Sequence, residues 1–263
     1  MQSPQHGQGL HEQAVPVSAT RVSAPAKLTL ALRITGVRDD GYHLIDAEMV
    51  TLELADTLVI DPHRRGLSAD GPFAAGLPLD DSNLIAKALR LTGREAHVHV
   101  HKAIPHGGGL GGGSADAAAV LRWAGHGTGP RELATAAQLG ADIAFCLVGG
   151  RARVRGIGEV IEPLPSVALD VTLVIPPLTV STPAVYRAWD ELGGPRAAGP
   201  NDLEPAAIAV VPELATWRDR IADCCGASPV LAGSGATWFL LGHHPSLCAL
   251  APEATVVLTR TTV

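Results

Sequence analysis

The stretch from Pro105 to Ala119, PHGGGLGGGSADAAA, restricts more than any other what this chain can become. From Gly107 to Gly113 only Leu110 interrupts a run of glycine. A backbone so bare of side chains turns sharply, accepts positive φ and lets its N–H groups approach a ligand closely. Upstream, Ala96, Val98, Val100 and Ala103 are interleaved with His97, His99 and His101, which predicts a strand. Downstream, SADAAAVLRW (114–123) is rich in strong helix formers and opens on Ser114, a good capping residue. Strand, glycine loop and helix N-terminus together aim backbone donors and a positive helix end at an anion, most often a phosphate.

Neither standard phosphate loop fits. The Walker pattern wants a lysine immediately before its serine or threonine, and here Gly113 precedes Ser114. A dinucleotide fingerprint is formally present as Gly107-x-Gly109-x-x-Gly112, but a run this rich in glycine meets it by chance. The acidic partner expected about 20 residues later would be Glu132, which follows a Gly/Pro-rich turn instead of ending a second strand. The stretch is read as a nucleotide-phosphate loop of neither type.

At 263 residues there is room for one large domain or two of ordinary size. Hydrophobic residues at 46% supply a proper core, but aromatics at 3% mean that Ala, Val, Leu and Ile must build it. The net charge of −6 and the lack of a basic block argue against nucleic acid as a partner. No apolar run approaches the roughly 18 residues of a membrane span and no leader pattern is seen, so a cytoplasmic protein off the membrane is expected. Cys146, Cys224, Cys225 and Cys248 form no C-x-x-C pair, which makes a disulfide framework or structural zinc improbable. His97, His99 and His101 share a strand face, yet no carboxylate or fourth ligand is obvious nearby, and no metal site is expected.

Residues 1–19 are polar and aperiodic and read as a disordered extension. The Pro-containing break EPLPS (162–166) divides the rest into a first domain, 20–163, and a second, 164–263. Within the first, Leu28, Leu30, Leu32 and Ile34 form the core face of a strand, with Lys27, Thr29, Ala31 and Arg33 opposite. A turn over 36–41 leads into Tyr42 and His43, which together could stack on and hydrogen-bond a nucleobase. Residues 46–61 predict one or two strands, 62–81 a Gly/Pro-rich connection, 81–91 an amphipathic helix and 131–139 another helix. Asp142, between a glycine and an apolar run, is either an N-cap or a carboxylate poised near the phosphate loop to take a proton. The second domain is expected to hold a strand at 169–175 and a helix from Ser181 with Pro183 in its first turn. Further helices would run to Cys225, followed by a strand–glycine turn–strand over 229–241 and a last strand at 255–262.

Taken in order, the motifs PAKLTL (25–30), DGYH (40–43), DDSNLI (80–85), IPHGGGLGGGSADAAA (104–119), LGADIAF (139–145), GIGE (156–159), NDLE (201–204) and AGSGAT (232–237) resemble a known family. They resemble the GHMP kinase superfamily of galactokinase, homoserine kinase and the mevalonate kinases. DGYH together with LGAD and NLI narrows the likeness to its diphosphocytidyl-methylerythritol kinases, over nearly all of 21–263. The resemblance implies an α+β fold in two domains, with the active site in the cleft between them. It also implies ATP-dependent phosphorylation of an alcohol on a small substrate that carries a cytidine diphosphate, with Mg²⁺ carrying charge on the phosphates. By similarity Lys27 and Asp142 are the catalytic pair. The ATP phosphates fall to Pro105, His106, Gly107, Gly108, Gly109, Leu110, Gly111, Gly112, Gly113, Ser114 and Ala115, and the adenosine to Asn83, Leu84 and Lys102. Tyr42 and His43 match the cytosine pocket, with Thr29, Ile157, Thr182 and Tyr186 around the substrate. A monomer or weak homodimer is expected.

Two positions depart from the family. It usually reads PAKxNL where this chain has Thr29, a shorter side chain with one donor in place of two. It often reads SSD where this chain has Ala115. Other readings stay open: a related kinase for mevalonate, homoserine or a sugar, a nucleotide-binding protein without turnover, or a dinucleotide-dependent oxidoreductase.

Overall fold

In the computed structural model, residues 19–263 apart from His106 are described. The extension expected over 1–19 lies outside them save for its last residue, and the phosphate contact expected of His106 lies outside them as well.

Two long strands, β1 (Thr20–Val37) and β2 (His43–Asp61), form an antiparallel ribbon on which the first half of the chain is built. The connection expected over 62–81 contains a short strand, β3 (Gly66–Asp70), and is followed by α1 (Leu84–Leu91) and β4 (His97–His101). After the glycine loop come three helices, α2 (Gly112–Trp123), α3 (Pro130–Leu139) and α4 (Ala141–Val148). Strands β5 (Arg151–Gly156) and β6 (Val160–Leu164) complete a sheet ordered β3-β4-β2-β5-β6, with β1 on β2. The parallel β3–β4 pair is its exception; the other ladders are antiparallel.

The second half is a four-stranded antiparallel sheet, β10-β7-β9-β8. It comprises β7 (Asp170–Ile175), β8 (Val230–Leu231), β9 (Trp238–Leu241) and β10 (Thr255–Arg260). Helices α5 (Thr182–Glu191), α6 (Glu204–Val210) and α7 (Glu213–Cys225) lie between β7 and β8. The chain changes sheets between Leu164 and Asp170. The halves are bound by backbone as well as side chains. Leu32 N–H donates to the Pro200 carbonyl, Asp202 N–H to the Leu32 carbonyl and Thr262 N–H to the Thr51 carbonyl. The Asp202 carboxylate, from NDLE, also accepts from Arg33 at 2.6 Å and from the Ile34 N–H at 3.1 Å.

Helix α2 carries the core. Ala115, Ala117, Ala118, Ala119, Val120 and Leu121 are all buried, as expected of a helix apolar almost all round. Four alanines leave room for β1, α1 and α4 to close on it, so a chain poor in aromatics still packs densely. Three charged groups are buried with it. Lys102, at the exit of β4, holds Asp56 of β2 and, at 2.8 Å, Asp116 in the first turns of α2. Asp56 also accepts the N–H groups of Ala103 and Ile104 at 2.6 and 2.8 Å. Burial alone would lower the Lys102 pKa, but Asp116 and Asp56 outweigh it and raise the value. Burial pushes Asp116 up, against the pull of Lys102, and its second oxygen finds no partner.

Replacing Lys102 with Met leaves Asp56 and Asp116 without their cation, and should destabilise the protein by about 3–5 kcal/mol in chemical denaturation. Removing Arg153, whose pair with Asp46 is exposed, should leave the same denaturation midpoint nearly unmoved.

Candidate active site

The glycine loop passes between β1 and the 232–237 turn of the second sheet, and its glycines are required by those neighbours. Gly109 has φ +76°, and a Cβ there would strike the Ala232 carbonyl oxygen. Gly111 has φ +67°, and a Cβ there would lie 2.7 Å from Lys27 Cγ. The loop is pinned at both sides by backbone: Lys27 N–H donates to the Leu110 carbonyl and Thr237 N–H to the Gly108 carbonyl. Helix α2 begins three residues earlier than a cap at Ser114 would place it. Its cap is Gly111 in the left-handed region, so Ser114 sits in the first turn and is not the cap. The first intrahelical bond runs from Ala115 N–H to the Gly111 carbonyl, and the N–H groups of Gly112, Gly113 and Ser114 precede it, the donors a helix start leaves for an anion.

Lys27 departs from the surface role a lysine on a polar strand face usually takes. Bulges in β1 and the loop overhead leave it 5% exposed. Its ammonium donates to Thr29 Oγ1 at 3.1 Å and pairs with Asp142 at 3.2 Å. Thr29, itself buried, thus meets the lysine directly despite its short side chain. Asp142 is the second residue of α4, capped by Gly140, and so is not an N-cap; its carboxylate is about one-third exposed toward solvent.

Lys27, Thr29 and Asp142 line one cleft of about 660 Å³. Tyr42, His43, Ile157, Thr182 and Tyr186 line the same cleft, as do Gly109, Gly233 and Ser234. The Tyr42 ring is exposed, free to cover a ligand from outside. His43 rests against Tyr186, ring centroids 4.7 Å apart at 37°, and meets Trp189 edge-on at 5.6 Å. Burial, with the Asp142 charge adding, pushes the Tyr186 phenol up to about 12 and keeps it neutral. Thr182 Oγ1 and Ser234 Oγ are 2.7 Å apart, joining α5 to the AGSGAT turn. Asn201 fixes that turn, its amide donating to the carbonyls of Leu231 and Gly233.

Other expected residues stand elsewhere. Asn83 is the N-cap of α1: its side-chain oxygen accepts from Ile85 N–H at 2.8 Å, and its amide donates to the Pro78 carbonyl at 2.6 Å. Leu84 lies beside Gly113 and Gly140, near the loop. The Lys102 ammonium is sealed with Asp56 and Asp116, which leaves its backbone for any contact with a nucleotide. The histidine face gains a carboxylate the sequence did not reveal. Asp70, brought alongside by β3, lies 2.7 Å from His101 and 3.5 Å from His99. Among the described residues, no group of three or more His, Cys, Asp or Glu is arranged to hold a metal ion. Sequence reasoning does not single out Asp190, Asp56 or Asp116 as contributors. Asp116 sits inside the quoted SAD motif, whereas nothing local distinguishes Asp56 or Asp190 from a surface acid.

The model of the GHMP kinases N terminal domain matches residues 83–150, which span α1, β4, the loop and α2 to α4. The fold recurs in L. major mevalonate kinase in complex with R-mevalonate, at TM-score 0.62 and 15% identity, covering 95% of this chain and 99% of that one. The fold is thus that of the GHMP kinases, and residues 83–150 match their N-terminal domain. The 4-diphosphocytidyl-2-C-methyl-D-erythritol kinase of Paracoccus denitrificans is 40% identical over 259 residues, 91% of either chain, and that of Dinoroseobacter shibae 39% over 254 residues, 88% of either. A crystal structure of 4-(cytidine 5'-diphospho)-2C-methyl-D-erythritol kinase superposes at TM-score 0.73 with 33% identity, covering 93% of this chain and all of the other. The chain belongs to the 4-diphosphocytidyl-2-C-methyl-D-erythritol kinase family.

A methyl group on residue 111 should displace Lys27 and force a strained φ. Gly111→Ala is expected to lower kcat for ATP-dependent phosphorylation at least about tenfold while circular dichroism stays native.

Proposed function

We propose that the chain transfers the γ-phosphoryl group of ATP to the 2-hydroxyl of 4-diphosphocytidyl-2-C-methyl-D-erythritol, giving the 2-phosphate and ADP, a step of non-mevalonate isoprenoid synthesis. One observation carries this reading. Buried Lys27 and its part-exposed partner Asp142, beside the glycine loop, share a single cleft with an aromatic pocket suited to a base.

Phosphoryl transfer asks a protein for alignment and charge stabilisation more than for covalent chemistry. Asp142 accepts a hydrogen bond, and then the proton, from the attacking hydroxyl. Lys27, held in place by Thr29, orients Asp142 and offsets charge gathering on the transferring group. N–H groups of the loop from Gly107 to Gly113, with Ser114 and Ala115 in the helix start, hold the ATP phosphates, and Leu84 lies toward the adenosine. Tyr42 and Tyr186 flank the cytosine with His43 at its edge; Ile157 and Thr182 bound the rest of the substrate. Mg²⁺ would accompany the ATP phosphates, and Ser114, in the first turn of α2, would be the residue placed to hold it. When bound, it neutralises phosphate charge that a Walker lysine would otherwise offset.

We take the unit ending near residue 163 as the one that holds the nucleotide. The four cysteines are free, in keeping with a reducing cytoplasm.

ADP release with Mg-ATP should appear with the cytidine substrate and be absent with mevalonate or homoserine. Turnover of either of those two alone would overturn the base-pocket reading. Asp142→Asn is expected to retain ATP affinity and lose about 10²–10⁴-fold in kcat; unchanged turnover would remove Asp142 from the chemistry. Tyr42→Ala should weaken the cytidine substrate about tenfold or more and ATP hardly at all, as read from the two KM values.

A further inference from the structure

His43 is held more firmly than a residue beside a turn requires. Tyr186 lies against its face, Trp189 against its edge, and its Nε2 is 2.8 Å from Asp190 Oδ1. Trp189 is itself fixed, its indole N–H donating to the Pro195 carbonyl at 3.0 Å. Tyr186, Trp189 and Asp190 all come from α5, whereas His43 begins β2, so one element of the second half grips a residue of the first. The imidazole is 10% exposed, which leaves it little freedom to turn over. Its other nitrogen, Nδ1, makes no hydrogen bond among the described residues, and the residue lines the cleft.

A carboxylate oxygen only accepts, so the Nε2 facing Asp190 carries the hydrogen. In the neutral ring, Nδ1 is then a bare acceptor. An acceptor fixed in a base pocket favours a base that presents an exocyclic amine and disfavours one that presents a carbonyl in the same place, because the second leaves two acceptors facing each other.

We propose that Asp190 is a positioning residue for base recognition: by accepting the Nε2 hydrogen of His43 it fixes the ring with Nδ1 as acceptor, and so selects cytosine over uracil. This role rests on the cytidine-substrate reading above. It adds a residue that neither touches the base nor takes part in phosphoryl transfer.

The test uses the full-length protein and its Asp190→Ala and Asp190→Asn variants, with CDP and UDP as probes in titration calorimetry. Wild type should prefer CDP. Asp190→Ala should shrink the CDP:UDP preference about tenfold and raise KM for the cytidine substrate by a similar factor, with KM for ATP unmoved. Asp190→Asn, whose amide oxygen can still accept, should recover most of both. Long-range ¹⁵N–¹H correlation at about pH 8, above the ordinary histidine value, should show His43 protonated on Nε2 in wild type and a mixture of tautomers in Asp190→Ala. Equal losses of CDP and UDP in Asp190→Ala, or a wild-type His43 protonated on Nδ1, would overturn the role of Asp190 and leave the cytidine reading standing. A wild type that binds CDP and UDP alike would overturn both.

Discussion

The ion cluster of Lys102, Asp56 and Asp116 is the constraint on which the phosphate loop depends. One ammonium ties the middle of β2, the exit of β4 and the opening turns of α2, and water is excluded from all three groups. Asp56 takes the N–H groups of Ala103 and Ile104 where strand gives way to loop, so both ends of the glycine run are referenced to the sheet. A buried cation between two buried carboxylates tolerates little displacement, since any opening strands a charge in a low dielectric. That rigidity suits a loop whose own residues supply no side-chain packing. It also clarifies the missing Walker lysine. Lys102 lies beneath the loop, its ammonium 3.3 Å from where a Cβ of Gly112 would stand, but two carboxylates already consume its charge. On the function proposed above, phosphate would be met by backbone N–H groups and not by this ammonium.

With the loop so held, β1 is free to bring its polar face under it. The close approach at Gly111 fills the space over Lys27, whose polar partners among the described residues are Thr29 and Asp142. Thr29 is adequate here for a geometric reason: it stands two residues along the same strand face, within 3.1 Å of the ammonium, so the length of an asparagine is not needed to reach it.

Much of this was legible in the sequence because it is local. The glycine run, the alternation of Val98 and Val100 with histidines and the helix formers after Ser114 all act over a few residues, and the strand, loop and helix stand where those signals put them. The same locality misled at the helix start, where Gly111 in the left-handed region displaced Ser114 as cap. Strand β3 was hidden by its Gly/Pro-rich surroundings and by pairing only with β4, so that tertiary contact, not propensity, makes it a strand. Lys27 shows the limit most clearly. Its strand position reads as solvated, and only the passage of the glycine loop, joined to it through the Leu110 carbonyl from far along the chain, buries it. Asp56, Asp190 and the carboxylate of Asp202 take their roles from Lys102, His43 and Ile34, partners so distant in the chain that no local window contains them.

The cleft belongs to neither half alone. Lys27, Asp142 and His43 come from the first sheet and its helices; Tyr186, Thr182 and Ser234 come from the second half. The joints that set their spacing are the Asp202 carboxylate on Arg33 and Ile34, the Asn201 amide on the AGSGAT turn and the approach of that turn to Gly109. Tyr186 makes the link direct: it packs on His43 while its phenol lies close enough to Asp142 to feel the carboxylate's charge. The ring that supports His43 and the carboxylate paired with Lys27 thus line one cleft, and the joints between the halves set the spacing of both.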